Sequence, residues 1–146
     1  ANCSRCRPAL FWITNPSNDF IGNVAVGGAF GFWFAMPIHP LGLGAGDPQY
    51  QWWPRHSRLG LFIRNKAHSM INSGLFFDEG QVNDAGDTQL SSYSPRDVDM
   101  ILANYVDNPS TASLDTIQSI LDNFTPDNAV VVEFTAYKVI TKERIG

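Results

Sequence analysis

The sequence predicts a mainly β chain built as a solenoid, a stack of similar strand-and-bend units, and three observations lead there. The first is a repeat. Phe20-Ile-Gly-Asn23-Val-Ala25 followed by Gly31-Phe-Trp-Phe34 is echoed by Phe62-Ile-Arg-Asn65-Lys-Ala67 followed by Gly74-Leu-Phe-Phe77. The second is a shorter third copy, which opens at Phe134-Thr-Ala-Tyr-Lys138. The third is the grain of each copy: short apolar runs broken by glycine or polar bends. Units of this kind cannot bury an apolar face alone, but stacked on their neighbours they can.

Taken in order, Leu10-Phe-Trp-Ile-Thr14 reads as a strand that stops at the turn Asn15-Pro16-Ser-Asn18. The first repeat covers about 10–34, and in it Asn23 falls where the chain bends. An Asn at a stacked bend can bond to the backbone or the Asn of the next repeat, so Asn23 and Asn65 form a candidate Asn ladder. The competing reading makes each an ordinary turn Asn. Residues 35–58 form a Pro-, Gly- and aromatic-rich loop, and the second repeat covers about 59–77. Gly42, Gly44 and Gly46 resemble a phosphate loop only superficially, because no helix start or Lys follows them.

Residues 78–128 read as an insertion. It opens with the polar loop Asp78 to Gln89, in which Asp84 and Asp87 around Gly86 are a weak calcium candidate whose spacing does not match a helical-hand loop. A small helical part is expected around 95–124. Ser94-Pro-Arg-Asp97 offers a cap for a short helix through Met100 to Tyr105. Ser113 opens a second helix in which Leu114, Ile117, Ile120, Leu121 and Phe124 share a stripe. Val130 to Tyr137 then reads as a strand of the third repeat, about 129–146.

A chain of 146 residues with 44% hydrophobic residues is the size of one domain with a real core, here a single segment spanning 1–146. Its net charge of −4 argues against a general nucleic-acid binder. The charge is uneven. Between Asp47 and Asp78 there is no acid, yet Arg55, Arg58, Arg64 and Lys66 lie there. That asymmetry suits one face meeting an anionic partner. The longest apolar run, Val24 to Met36, is too short and glycine-rich to span a bilayer, so no transmembrane segment is expected. The absence of an initiator Met and a third repeat still under way at Gly146 suggest an interior piece of a larger chain, or one protomer of an assembly.

Cys3 and Cys6 are a candidate disulfide, with each other or with cysteines elsewhere. A zinc half-site would need two more ligands, so no metal is assigned. No cofactor is expected beyond the weak calcium candidate. Asn2 and Asn123 open Asn-x-Ser/Thr sequons and are candidate glycosylation sites.

Several motifs in order carry a family resemblance: Phe11-Trp-Ile-Thr-Asn-Pro16, Ile21-Gly-Asn-Val-Ala-Val-Gly-Gly28, Gly31-Phe-Trp-Phe34, Leu59-Gly-Leu-Phe62, Asn65-Lys-Ala-His-Ser69, Tyr93-Ser-Pro95 and Phe134-Thr-Ala-Tyr-Lys138. They resemble the β-helix region of the fibrocystin and fibrocystin-like proteins and of the cell-migration-inducing and transmembrane hyaluronidases. The stretch from about Asp97 to Asn123 has no counterpart in that pattern. The resemblance implies a right-handed parallel β-helix in a large, extracellular, glycosylated surface protein, ciliary in the fibrocystin case. It also implies two activities, a surface structural role and hyaluronan binding or depolymerisation.

The candidate site follows from what anionic sugar polymers need, namely aromatic rings to stack on and cations to meet carboxylates. Trp52, Trp53, Arg55, His56 and Arg58 supply both in one exposed-looking loop. The alternative is that the Trp rings cover an open side of the solenoid. His68 is the residue of the matching motifs suited to proton transfer and a weak catalytic candidate, set against a structural role. Hydrolysis of a glycoside needs two facing carboxylates, which this region lacks. The leading reading is therefore a structural and interaction segment whose partners are other chains or the rest of its own. A hyaluronan-type glycosidase or lyase segment is the alternative.

Overall fold

The repeats stack their strands into three parallel sheets, the first repeat supplying two strands to the first sheet and the third supplying strands to the other two. The structure, a computed structural model, describes residues 8–37, 53–78, 80–82, 88–90 and 93–140. In chain order, β1 is Ala9–Ile13, β2 Phe20–Ile21, β3 Val24–Val26 and β4 Phe30–Phe34. The second repeat supplies β5 Phe62–Ile63, β6 Lys66–His68 and β7 Ser73–Phe77, and the third supplies β10 Val131–Val132 and β11 Thr135–Tyr137. Between them lie β8 Gly80–Val82, β9 Thr88–Leu90, α1 Val98–Tyr105 and α2 Leu114–Asp122. The sheets run β1-β4-β7, β10-β5-β2 and β11-β6-β3. Their register aligns Phe20 with Phe62 and Val131, and Ala25 with Ala67 and Ala136.

Two corners join the second and third sheets to their successors, and both use left-handed backbone. Gly22 (φ 68°), Arg64 (φ 54°) and Glu133 (φ 51°) make one corner, and Gly27 (φ 74°), Ser69 (φ 59°) and Lys138 (φ 52°) the other. An L-residue in this region costs roughly 1–2 kcal/mol, which only the first repeat avoids by using glycine. The cost is offset by backbone bonds from one repeat to the next: Gly22 N–H donates to Ile63 O at 2.9 Å and Arg64 N–H to Val132 O at 3.0 Å. This corner divides the single strand expected over 130–137 into β10 and β11. Glu133 turns the chain between them, and its residue type does not announce a positive φ.

The interior combines aromatic rings with small residues. Phe11 stacks on Phe32, and Phe34 on Phe77, each with ring centroids 4.6 Å apart, while Phe62 meets Phe32 edge-on at 5.1 Å. Ile13, Met36 and Met70 complete this core. The same core holds a column of small residues. A Cβ on Gly31 would sit 2.9 Å from Ala67 Cβ, and one on Gly74 would sit 2.9 Å from Ala136 Cβ. On the outer face of the first sheet, Trp12, Trp33 and Phe76 share register, with Trp33 Nε1 donating to Asp78 Oδ2 at 3.0 Å.

The insertion carries its own core. Trp53, Ile101, Ile117 and Leu121 are buried together, with Ile120 and Phe124 packed against them. Leu114, expected in the same stripe, is exposed, because it lies in the first turn at the stripe's margin. Asp97, not Ser94, caps α1, its Oδ1 accepting from Met100 N–H at 3.0 Å. Ser94 is held before the helix, where its N–H donates to Arg55 O at 3.1 Å. Ser113 caps α2, accepting from Thr116 N–H at 3.1 Å. The polar run from Asp78 to Gln89, expected as a loop, contains the antiparallel ribbon β8–β9, whose backbone pairing does not depend on apolar side chains.

Candidate functional site

The structure separates the sequence-selected residues into three places. Asn23 and Asn65 are brought together at the first corner. Asn65 Oδ1 accepts from Asn23 N–H at 2.9 Å and from Asn23 Nδ2 at 3.3 Å, and Asn65 Nδ2 donates to Phe20 O at 2.7 Å. Asn65 is fully buried. The next position in this column is Phe134, whose ring packs on Phe62, so the amide contact links two repeats.

Trp53, Arg55 and His56 lie inside, between the repeats and the helical insertion, with relative exposures of 1%, 1% and 2%. This corrects the expectation that they stand on an open loop. The apolar stripe of α2 needs a surface to cover, and the Trp53 ring provides it. Arg58 is exposed but engaged: its Nε donates to Asp127 Oδ2 at 2.8 Å and its Nη1 lies 3.4 Å from Asp97 Oδ2. It ties the loop to both ends of the insertion. Trp52 lies outside the described residues, as do Asn2, Cys3, Cys6, Asp84 and Asp87. Asn123 is the exposed C-cap of α2, its Nδ2 donating to Ser119 O at 3.0 Å.

His56 forms the polar centre of this junction. Its Nδ1 lies 3.0 Å from Ser94 O and against Arg96 Nη1, and its Nε2 lies 2.9 Å from Gln118 Nε2 and 3.9 Å from Asp122 Oδ1. Arg96 is buried too, its Nη1 donating to Ser94 O and its Nε to Phe124 O. Burial pushes the His56 pKa below its ordinary 6.5, and the Arg96 charge lowers it further against the Ser94 carbonyl and Asp122. A neutral imidazole therefore belongs here, joining the loop, the approach to α1, and α2. Arg96, Gln118 and Asp122 were not legible as its partners, because they lie 40 to 66 residues away with no shared motif.

His68 belongs to neither cluster. It stands on the outer face of β6, stacked on Tyr137 of β11 at 4.8 Å and 16°, with Ser69 Oγ 3.2 Å from its Nδ1. Lys66 precedes it by two residues and is exposed, as are Arg64 and Lys138 at the two corners. Among the described residues, none of these three cations forms an ion pair. No hydrogen bond, ion pair or ring contact among the described residues joins this face to Trp53, Arg55 or His56. The register sets Tyr137 of the third copy beside His68.

The family model described as CEMIP beta-helix matches residues 1–75, which is half of the chain. The chain belongs to that family. Its relatives include the human protein called cell surface hyaluronidase CEMIP2, 35% identical over 90 residues, or 61% of this chain and 6% of that protein. The mouse cell migration-inducing and hyaluronan-binding protein is 37% identical over 75 residues, 49% of this chain and 5% of that protein. Mouse fibrocystin-L is 41% identical over 73 residues, 49% of this chain and 2% of that protein. The chain thus spans a small fraction of each relative's length. These relatives agree with the family named from the motifs and with an extracellular or cell-surface location. The matched residues of the CEMIP beta-helix model include the whole first repeat.

Proposed function

We propose that this CEMIP beta-helix chain is a structural and interaction segment of a large extracellular β-helical surface protein, wound as a right-handed solenoid. Parallel pairing in all three sheets supports the winding, since parallel strand connections are right-handed almost without exception. The observation that carries the interaction role is the state of the outer strands. Val131, Val132 and Tyr137 on β10 and β11 are exposed, and among the described residues nothing pairs with the free edges of these strands. Such an edge recruits a further strand, from the same protein or from a neighbour.

Sedimentation of the chain across a concentration series tests this, beside a Val132→Lys, Tyr137→Lys variant. Association that the lysines abolish is expected, because charges on an edge strand block strand addition. A chain that stays monomeric at every concentration, and binds no adjoining β-helix segment, would contradict it.

A second reading, contact with an anionic glycan, is favoured by the unpaired cations around β6. Two of the relatives are named for hyaluronan, one as a hyaluronidase and one as hyaluronan-binding.

A further inference from the structure

We propose that α2 is an acid-released latch: a neutral His56 holds it against the repeats, and an imidazolium at the same position frees it and uncovers Trp53. Each nitrogen of the His56 ring meets a donor. Arg96 Nη1 lies against Nδ1, and Gln118 Nε2 lies 2.9 Å from Nε2. The Gln118 amide is oriented by α2 itself, because its Nε2 also donates to Asp122 Oδ1 at 3.0 Å. Turned over, that amide would set its oxygen against the carboxylate. A neutral imidazole keeps one nitrogen able to accept, and an imidazolium keeps none. The added proton therefore removes the ring's last acceptor while both donors stay in place.

The charges around the ring act in the same direction. Arg96, on the approach to α1, is buried and stays a cation, so an imidazolium would face a like charge at contact distance. Arg55, which precedes His56 in the loop, is buried as well. From α1 the junction receives the apolar Val98, Ile101 and Leu102. Ser94 O, 3.0 Å from Nδ1, is uncharged and already accepts from Arg96 Nη1 at 2.9 Å. Asp122 of α2 is the one carboxylate facing the ring among the described residues, and its Oδ1 lies 3.9 Å from Nε2, beyond hydrogen-bond reach. The buried imidazolium is relieved only when a neighbour withdraws and admits water.

The hydrogen bonds select which neighbour moves. Backbone bonds pin the approach to α1 onto the loop, Ser94 N–H donating to Arg55 O at 3.1 Å and Arg96 N–H to His56 O at 2.7 Å. Helix α2 meets His56 through the side chains of Gln118 and Asp122 alone. Its withdrawal takes Ile117 and Leu121 off Trp53. The exposed pairs from Arg58 to Asp97 and Asp127 also cross this junction, but exposed pairs hold little. The bonds between repeats, such as Lys66 N–H to Asn23 O and Thr135 N–H to Asn65 O, do not involve His56, so the release is local. Burial keeps the His56 pKa below 6.5, so the latch is shut above 6.5 and opens as pH falls below it. A chain at the cell surface meets about pH 5–6 once it is internalised.

The experiment is hydrogen exchange of the full 146-residue chain at about pH 8 and about pH 5, corrected for the intrinsic pH dependence of exchange, beside His56→Gln. Amides of α2 that lose roughly tenfold in protection at the acid pH, while those of Lys66 and Thr135 keep theirs, support the latch. In His56→Gln the corrected α2 protection should be the same at both values. The imidazole proton signals of the unaltered chain give a second readout that needs no variant: His56 should titrate together with the loss of α2 protection. A His56 ring that takes up its proton while α2 stays protected overturns the proposal. So does an acid loss that persists in His56→Gln, and so does a loss shared equally by the Lys66 and Thr135 amides, which would make the acid transition global.

Discussion

Asn65 turns its carboxamide onto Asn23 one repeat away, accepting from both the backbone N–H and the side-chain amide with one oxygen. Its own amide closes the bend by donating to Phe20 O. The fully buried Asn65 holds more of this joint than the half-buried Asn23. Asn65→Ala strands the Asn23 N–H, and an unsatisfied buried group costs about 1–3 kcal/mol. Urea unfolding should therefore show a larger loss for Asn65→Ala than for Asn23→Ala. The reverse order would mean the amide contact does not hold the corner.

Gly74 and Gly22 are both required, but for different reasons. A side chain at Gly74 meets Ala136 Cβ at 2.9 Å and Ala67 Cβ at 3.1 Å, whereas Gly22 faces open space at φ 68°. Gly74→Ala should cost about 1–3 kcal/mol through overpacking. Gly22→Ala should cost roughly 1–2 kcal/mol through backbone strain. Asn should largely rescue position 22 and fail at position 74, as thermal unfolding of the four variants would show.

His56 makes stability depend on pH in one direction. Its folded pKa lies below the ordinary 6.5, so the unfolded chain takes up a proton first. The stabilisation is fully present above 6.5 and is lost as pH falls through 6.5 toward the folded value. Urea midpoints measured well above and well below pH 6.5 should differ less in His56→Gln than in the unaltered chain. An unchanged difference would remove His56 as the source.

Trp53 joins the helices to the repeats. Trp53→Ala should cost about 3–5 kcal/mol at this contact. Hydrogen exchange should show faster opening in α1 and α2, while the Lys66 and Thr135 amides between repeats keep their protection. Uniform acceleration across all of these amides would mean that the insertion and repeats form one inseparable unit.

What the sequence disclosed, it disclosed through register. Asn23 and Asn65 sit at matching places in two copies, so their meeting could be anticipated from spacing, and the copies marked both corners. Arg64 and Glu133 were opaque as corner residues, because a charged side chain says nothing about φ. Trp53, Arg55 and His56 were placed outside for a similar reason. A Trp beside an Arg looks like a sugar-binding loop until the helices some forty residues later are laid over it. The face around His68 was half legible: Arg64, Lys66 and His68 stood out together, but Tyr137 and Lys138 joined them only once β11 was set against β6.

The most direct measurement is native-state hydrogen exchange at the amides that pass from one repeat to the next: Gly22 to Ile63, Lys66 to Asn23, Arg64 to Val132 and Thr135 to Asn65. Slow exchange at all four, opening together with the strands they flank, is expected of stacked repeats. Exchange at unprotected rates at Lys66 and Thr135 in the folded chain would contradict the stacking of the three repeats.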